Sequence, residues 1–244
     1  MVSLNGQSCL SARRETIFQL FNNSRDAAVA ERGRIKHEKG NAFNGALSGK
    51  WYLFFTKLFG FTRPFYERAL GEISLDGDLT VLDVGCGPGV LGFALAERLT
   101  PGSVVHGIDL AEDQIRYASE RAANRPVPMH FTVGSMDELP FDDATIDLAI
   151  TSMAMHEASR DVRPRAIAEI ARVLKPGGRF LLVDWSKPKF GFWAAVWLPF
   201  LVCGENNRDN WRNAYNEYCR NNGLRLEEDA YINSITRRQL FQKQ

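Results

Sequence analysis

The segment Val81-Leu82-Asp83-Val84-Gly85-Cys86-Gly87-Pro88-Gly89 sets three glycines at alternate positions directly after a short apolar run. A strand that breaks into glycines and then a helix suits a phosphate or a nucleoside. Glycine lets the backbone turn sharply and approach a ligand, and the helix start presents unpaired N–H groups. Two frames overlap here. Gly87-Pro88-Gly89-Val90-Leu91-Gly92 satisfies GxGxxG, so an NAD-dependent oxidoreductase is one reading. Gly85-x-Gly87-x-Gly89, with Asp83 inside the strand, is the other. Further on, Gly107-Ile108-Asp109 closes a second apolar run. A carboxylate at that strand end faces the crevice at the sheet's switch point, where it can accept from both hydroxyls of a ribose.

Three more segments follow in order: Gly134-Ser135-Met136-Asp137-Glu138-Leu139-Pro140-Phe141, Asp147-Leu148-Ala149-Ile150-Thr151-Ser152-Met153-Ala154-Met155-His156, and Glu169-Ile170-Ala171-Arg172-Val173-Leu174-Lys175-Pro176-Gly177-Gly178. With the glycine turn and Asp109, the set resembles the class I S-adenosylmethionine-dependent methyltransferases. The group it resembles within them is the small-molecule enzymes typified by ubiquinone/menaquinone C-methyltransferases. The resemblance covers roughly Asp78 to Asp184. It implies S-adenosyl-L-methionine as cofactor and S-adenosyl-L-homocysteine as product. It also implies a binding set of Asp83, Gly85, Cys86, Gly87, Gly89, Asp109, Leu110, Ser135, Met136, Asp137 and Ser152. In that set the glycines pass under the amino-acid part of the cofactor, Asp109 takes the ribose hydroxyls and Asp137 the exocyclic amine of adenine. Cys86 reads as a small filler, and Lys175 as a helix C-terminal cap.

Methyl transfer of this kind is an in-line displacement. It asks for a nucleophile held in line with the departing sulfur and for exclusion of water. A base helps when the acceptor is a phenol, an acidic carbon or an amine cation. His156, with Glu157 beside it, follows the fourth strand at the edge where the methyl should lie, and its side chain titrates near neutrality. His156 is therefore the candidate catalytic residue, with a pocket-lining role as its structural alternative. A cofactor-binding regulatory module without transfer activity stays open as well, because no other residue stands out as catalytic.

The expected frame is a Rossmann-like α/β fold, a seven-stranded mostly parallel sheet with helices on both faces. Short apolar runs at 79–84, 104–108, 127–133, 145–151 and 179–183 alternate with helical stretches at 90–99, 112–123 and 162–174. Two closing strands are expected at 224–226 and 232–241, one of them antiparallel. Pro64 suits the first turn of a helix. Residues 1–75 form an N-terminal helical cap. Residues 76–244 form the cofactor-binding domain, with an insertion at 187–222 after strand five.

In the resembled family, cap and insertion supply the substrate lid. Here they are rich in aromatics, among them Trp51, Tyr52 and Trp197. That favours a small apolar or aromatic acceptor, although the aromatics would equally serve as the core of the cap. The apolar stretch Phe190–Cys203 is shorter than a membrane span, which needs about 20 residues. It is a candidate lid, homodimer interface or peripheral membrane contact.

Net charge is +1, and there is no basic run to mark a nucleic-acid partner. Thr151-Ser152-Met153-Ala154 lacks the Asn/Asp-Pro-Pro-aromatic sequence of nucleic-acid amino-methyltransferases. Cys9, Cys86, Cys203 and Cys219 are scattered, which argues against a zinc site and for a reducing, cytoplasmic compartment.

Overall fold

The computed structural model describes residues 57, 60–189 and 208–244, all within the compact unit Gly40–Gln244. Trp51, Tyr52, Trp197 and the 190–203 stretch lie outside the described residues. The elements in chain order are α1 (Arg63–Leu70), β1 (Thr80–Val84), α2 (Val90–Ala96), β2 (Val104–Asp109), α3 (Glu112–Ala122), β3 (Met129–Val133) and β4 (Ile146–Ser152). A 3₁₀ turn (Met155–Glu157) comes next, then α4 (Val162–Val173), β5 (Leu174–Trp185), α5 (Arg208–Trp211), α6 (Ala214–Asn221), β6 (Leu224–Tyr231) and β7 (Thr236–Lys243).

The seven strands form one sheet in the order β3-β2-β1-β4-β5-β7-β6. β1 to β5 are parallel, and β7 runs antiparallel to both of its neighbours. The central strands are buried on both faces, so they read as continuous apolar runs instead of alternating. Side chains of β1, β4 and β5 divide between two cores. Leu82, Ala149 and Leu182 pack with Ile167 and Ile170 of α4 and with Tyr215 and Cys219 of α6. Val81, Leu148 and Val183 pack with Phe65 and Leu70 of α1 and with Leu91, Phe93 and Leu95 of α2. Pro64 does sit in the first turn of α1. The other end of α1 is tied to β7 by Arg238, only 5% exposed, whose Nε and Nη2 donate to the Ala69 and Leu70 carbonyls at 2.9 and 3.2 Å.

The sheet interior matches the sequence expectation closely, and its antiparallel edge does not. β6 extends five residues past its apolar start, through Glu227, Glu228 and Asp229, and shifts register between Leu226 and Glu228. An edge strand needs little apolar surface and carries charge against further pairing, so an apolar run underestimates its length. Lys175 is not a helix cap. It lies at the start of β5, and its Nζ meets Asp147 Oδ1 at 2.7 Å, while Asp147 Oδ2 accepts from the Thr80 amide.

Candidate functional site

The candidate site gathers at the carboxyl ends of β1 to β5. In the turn after β1, Gly85, Gly87 and Gly89 all have left-handed backbones, with φ of 67°, 51° and 76°. The amides of Gly85 and Cys86 both donate to the Ile108 carbonyl, at 2.8 and 3.0 Å, which folds the turn against the end of β2. A Cβ at Gly85 would lie 2.4 Å from that of Ala154, and one at Gly89 would lie 2.9 Å from the Phe93 ring. At Gly87 a Cβ would meet nothing within 4 Å. The turn is thus packed at its two ends and open in the middle.

Asp109 closes the turn. Its Oδ2 accepts from the Gly87 amide and its Oδ1 from the Ala111 amide, both at 2.8 Å. Leu110 follows Asp109, half-buried.

Asp83 lies behind the turn, 1% exposed, and its Oδ2 accepts from the Gly92 amide at 3.1 Å. Burial pushes its pKa up to about 7, and the charge of Asp109 adds to the rise. Gly92, the third glycine of the GxGxxG frame, has a local reason: a Cβ there would sit 2.9 Å from Asp83 Oδ2. Cys86 is buried, and burial together with Asp83 and Asp109 holds its thiol well above the usual range, so it is not a reactive thiolate.

The loop after β3 is pinned to α4. Arg172 donates to the carbonyls of Phe141 and Leu139 at 2.8 and 3.0 Å, and Glu169 accepts from the Leu139 amide at 2.9 Å. Asp137 bonds to the Ser135 hydroxyl through Oδ1 and to Arg165 Nη2 at 2.9 Å through Oδ2. Its carboxylate is therefore partly engaged within the protein. Met136 packs at the rim of the core on the same loop. At the end of β4 the Ser152 hydroxyl is buried with no partner among the described residues. Met153 beside it holds a left-handed φ of 55°, a costly conformation for a non-glycine residue and one that clusters at ligand sites.

The ends of β4 and β5 build a second cluster, adjacent because Ser152 pairs with Val183. Asp184, 1% exposed, accepts three N–H groups: the His156 amide at 3.0 Å, His156 Nδ1 at 2.6 Å and the Trp185 amide at 2.7 Å. His156 Nε2 lies 3.1 Å from Trp185 Nε1 and 3.1 Å from Glu157 Oε1. These two contacts belong to different protonation states. Neutral, Nε2 accepts from the indole; protonated, it donates to Glu157. Burial alone would lower the pKa of His156, but Asp184 and Glu157 outweigh it and push it up to about 9.

Below the 3₁₀ turn lies Arg163, with no exposed surface. It donates to the carbonyls of Ala158 and His156 at 3.0 and 3.2 Å and pairs with Asp209 of α5 at 2.8 Å. Phe61 stands edge-on to the Trp185 ring, with centroids 5.8 Å apart.

The sequence-predicted residues of the glycine turn, Asp109, the 135–137 loop, Ser152 and His156 thus all lie at the carboxyl ends of neighbouring strands. Asp184, Trp185 and Arg163 were missed. The first two had a signal: His156-Glu157 follows the fourth strand and Asp184-Trp185 ends the fifth.

A methyltransferase domain model matches residues 81–178. The chain is 38% identical over 128 residues to a demethylmenaquinone methyltransferase of Symbiobacterium thermophilum, covering 50% of each protein. It is 35% identical over 129 residues to the nocamycin O-methyltransferase of Saccharothrix syringae, covering 52% of this chain and 45% of that one. The chain therefore spans about half the length of these curated relatives. A SAM-dependent methyltransferase structure from Aquifex aeolicus superposes with a TM-score of 0.61 at 21% identity, over 78% of this chain and 97% of that one. Residues 81–178 thus match a methyltransferase domain, and the sheet that carries them has the Rossmann-like fold of that solved methyltransferase structure.

Proposed function

We propose that the protein transfers a methyl group from S-adenosyl-L-methionine to a small apolar or aromatic organic acceptor by in-line displacement. The observation that carries this reading is the turn open only at Gly87, with the Asp109 carboxylate fixed on that residue's amide. The donors and acceptors present fit the cofactor. Gly85, Gly87 and Gly89 offer a backbone cradle, Asp109 an acceptor for ribose hydroxyls, Leu110 and the 135–137 loop a flank for adenine, and Ser152 a buried hydroxyl without a partner among the described residues. Bound there, the cofactor supplies an electrophilic methyl on a sulfonium.

His156 serves the acceptor end. In its neutral state Asp184 fixes the Nδ1–H tautomer, and Nε2, once the acceptor displaces the Trp185 indole from it, takes a proton from a hydroxyl or an acidic carbon of the acceptor. The relatives named for demethylmenaquinone and for O-methylation support a small organic acceptor, by analogy, and the protein is read as cytoplasmic.

Calorimetry with S-adenosylhomocysteine tests the cofactor reading. We expect binding by the native protein and a large loss with Asp109→Ala. No binding by the native protein, or equal binding by the variant, removes the proposal. NADH titrated in the same way is expected not to bind.

A further inference from the structure

Away from the strand ends, a groove of about 870 Å³ runs between α1, one face of α2 (Val90, Phe93, Ala94, Glu97) and the residues ending α3. Its charges are unevenly matched. Lys57, Arg63, Arg68, Arg98, Arg121 and Arg125 face it, against Glu67, Glu72 and Glu97. Two of the acids are already engaged on the α1 side. Arg63 pairs with Glu67 at 2.8 Å and with Glu97 at 3.5 Å.

The α3 side has cations only. Arg121 and Arg125 stand four residues apart, their guanidinium carbons 4.4 and 5.1 Å from the centre of the same Phe93 ring. Neither has an acidic partner among the described residues. Of its five N–H groups, Arg121 places one on the Pro88 carbonyl, at 3.1 Å. Like charges at this spacing repel each other, and burial and Arg125 both act against the charge of Arg121. The Phe93 ring fixes the two forks in place but does not neutralise them. Two guanidiniums aligned on a buried aromatic platform, with donors to spare and no carboxylate, match the geometry and charge of a phosphate group.

We propose that Arg121 and Arg125, backed by Phe93, bind the phosphate group of a ligand, either a small phosphorylated molecule or the headgroup of an anionic lipid. The site communicates with the cofactor turn, because the guanidinium that receives the phosphate also holds the Pro88 carbonyl between Gly87 and Gly89. Binding at the two places is therefore coupled, and the coupling is reciprocal. The phosphate site stands on the groove alone; only the coupling rests on the cofactor reading above.

The test uses the full chain and three probes: inorganic phosphate by calorimetry, and phosphatidylglycerol and phosphatidylcholine vesicles by co-sedimentation. We expect phosphate or phosphatidylglycerol to bind, and Arg121→Gln/Arg125→Gln to weaken binding by about tenfold or more. Lys57→Gln should leave it nearly unchanged. Phosphate binding assigns a soluble ligand, and binding of phosphatidylglycerol vesicles alone assigns a lipid headgroup. The proposal is overturned if neither probe binds, if the double variant binds like the native protein, or if phosphatidylcholine binds as well as phosphatidylglycerol while phosphate does not. Arg125→Gln alone changes an exposed side chain and serves as the variant least able to disturb folding. S-Adenosylhomocysteine titrated into the same samples reports separately on the cofactor reading. Its binding without any phosphate response leaves that reading standing and removes this one.

Discussion

The two ends of the site are built in opposite ways. At the glycine turn each position is fixed by its own backbone and by contacts nearer in sequence: three left-handed glycines, an amide held by Asp83 nine residues away, another held by Asp109 twenty-two residues away. At the acceptor end the fixing contacts are long in sequence. His156 and Asp184 are 28 residues apart, and Arg163 and Asp209 are 46 apart. The first construction leaves a short pattern in the chain, and the second leaves scattered single residues. If the comparison holds, damage at the cofactor end should act through backbone geometry and damage at the acceptor end through charge.

Gly85→Ala should give the largest effect. The new methyl would meet Ala154 at 2.4 Å and the backbone would have to keep φ at 67°, where an L-residue is strained by roughly 1–2 kcal/mol. We expect S-adenosylhomocysteine affinity to fall by about a hundredfold or more, a loss of about 3 kcal/mol or more. Gly85→Ala/Ala154→Gly removes the clash but leaves the strain, so it should recover only part of the loss. Gly87→Ala has space around it, so it should lose only the roughly 1–2 kcal/mol of stability that its left-handed φ of 51° costs, while binding poorly because its Cβ enters the open middle of the turn. Full binding by Gly87→Ala would show that the cofactor does not pass there.

This contrast also explains what the sequence revealed. The strands β1, β2, β4 and β5 were legible because burial on both faces forces continuous apolar runs, and the glycine turn and Asp109 were legible because they follow those runs directly. The role of Asp83 was only half legible: its place in the strand pointed to the turn, but its contact with Gly92 depends on α2 packing close to β1. The Arg165 contact of Asp137 was hidden because α4 presents that arginine across 28 residues of chain. Asp184 looked like the last residue of a strand. Only the β4–β5 register shows that it faces His156.

At the acceptor end, Asp184→Asn and His156→Phe should each slow transfer by about 10²-fold or more if the histidine moves a proton. S-Adenosylhomocysteine affinity should stay within about twofold, as expected for sites without shared partners. In the native protein the raised pKa of His156 predicts that transfer increases as pH rises through about 9. In Asp184→Asn that limb should move to lower pH, because the charge that held the proton is gone. A profile unmoved by Asp184→Asn would return His156 to a structural role.

Stability against pH separates the two ends again, with a smaller effect. Asp83 is an acid whose folded pKa, about 7, lies above its unfolded value of about 3.9. The folded state keeps the proton longer, so stability declines between about pH 4 and 7 and then levels. His156 is a base whose folded pKa, about 9, lies above its unfolded value of about 6.5. Its contribution is complete below about pH 6.5 and is lost as pH rises to about 9. Thermal unfolding across pH should therefore show two falling segments. Asp83→Asn should flatten the lower one and Asp184→Asn the upper. A single variant that flattens both would mean that the two ends titrate as one unit.

The smallest effect belongs to the flank of the cofactor half, where His106 of β2 and His130 of β3 face each other across the sheet with ring centroids 5.5 Å apart. Burial, and then the neighbouring His130, pull the pKa of His106 down. Here the sign reverses. The folded state gives up the proton more readily than the unfolded chain, so stability is lost as pH falls through the unfolded value of about 6.5 and below. His130→Gln removes the charge partner but not the burial, so it should reduce this acid-side loss without abolishing it. Thermal melts from pH 7.5 down to pH 5 measure it. Because the pair sits on β2 and β3, whose ends carry Asp109 and the 135–137 loop, S-adenosylhomocysteine should protect the native protein against this acid-side loss more than it protects Asp109→Ala. Equal protection of both proteins would uncouple that flank from the cofactor end and confine the comparison to the strand ends themselves.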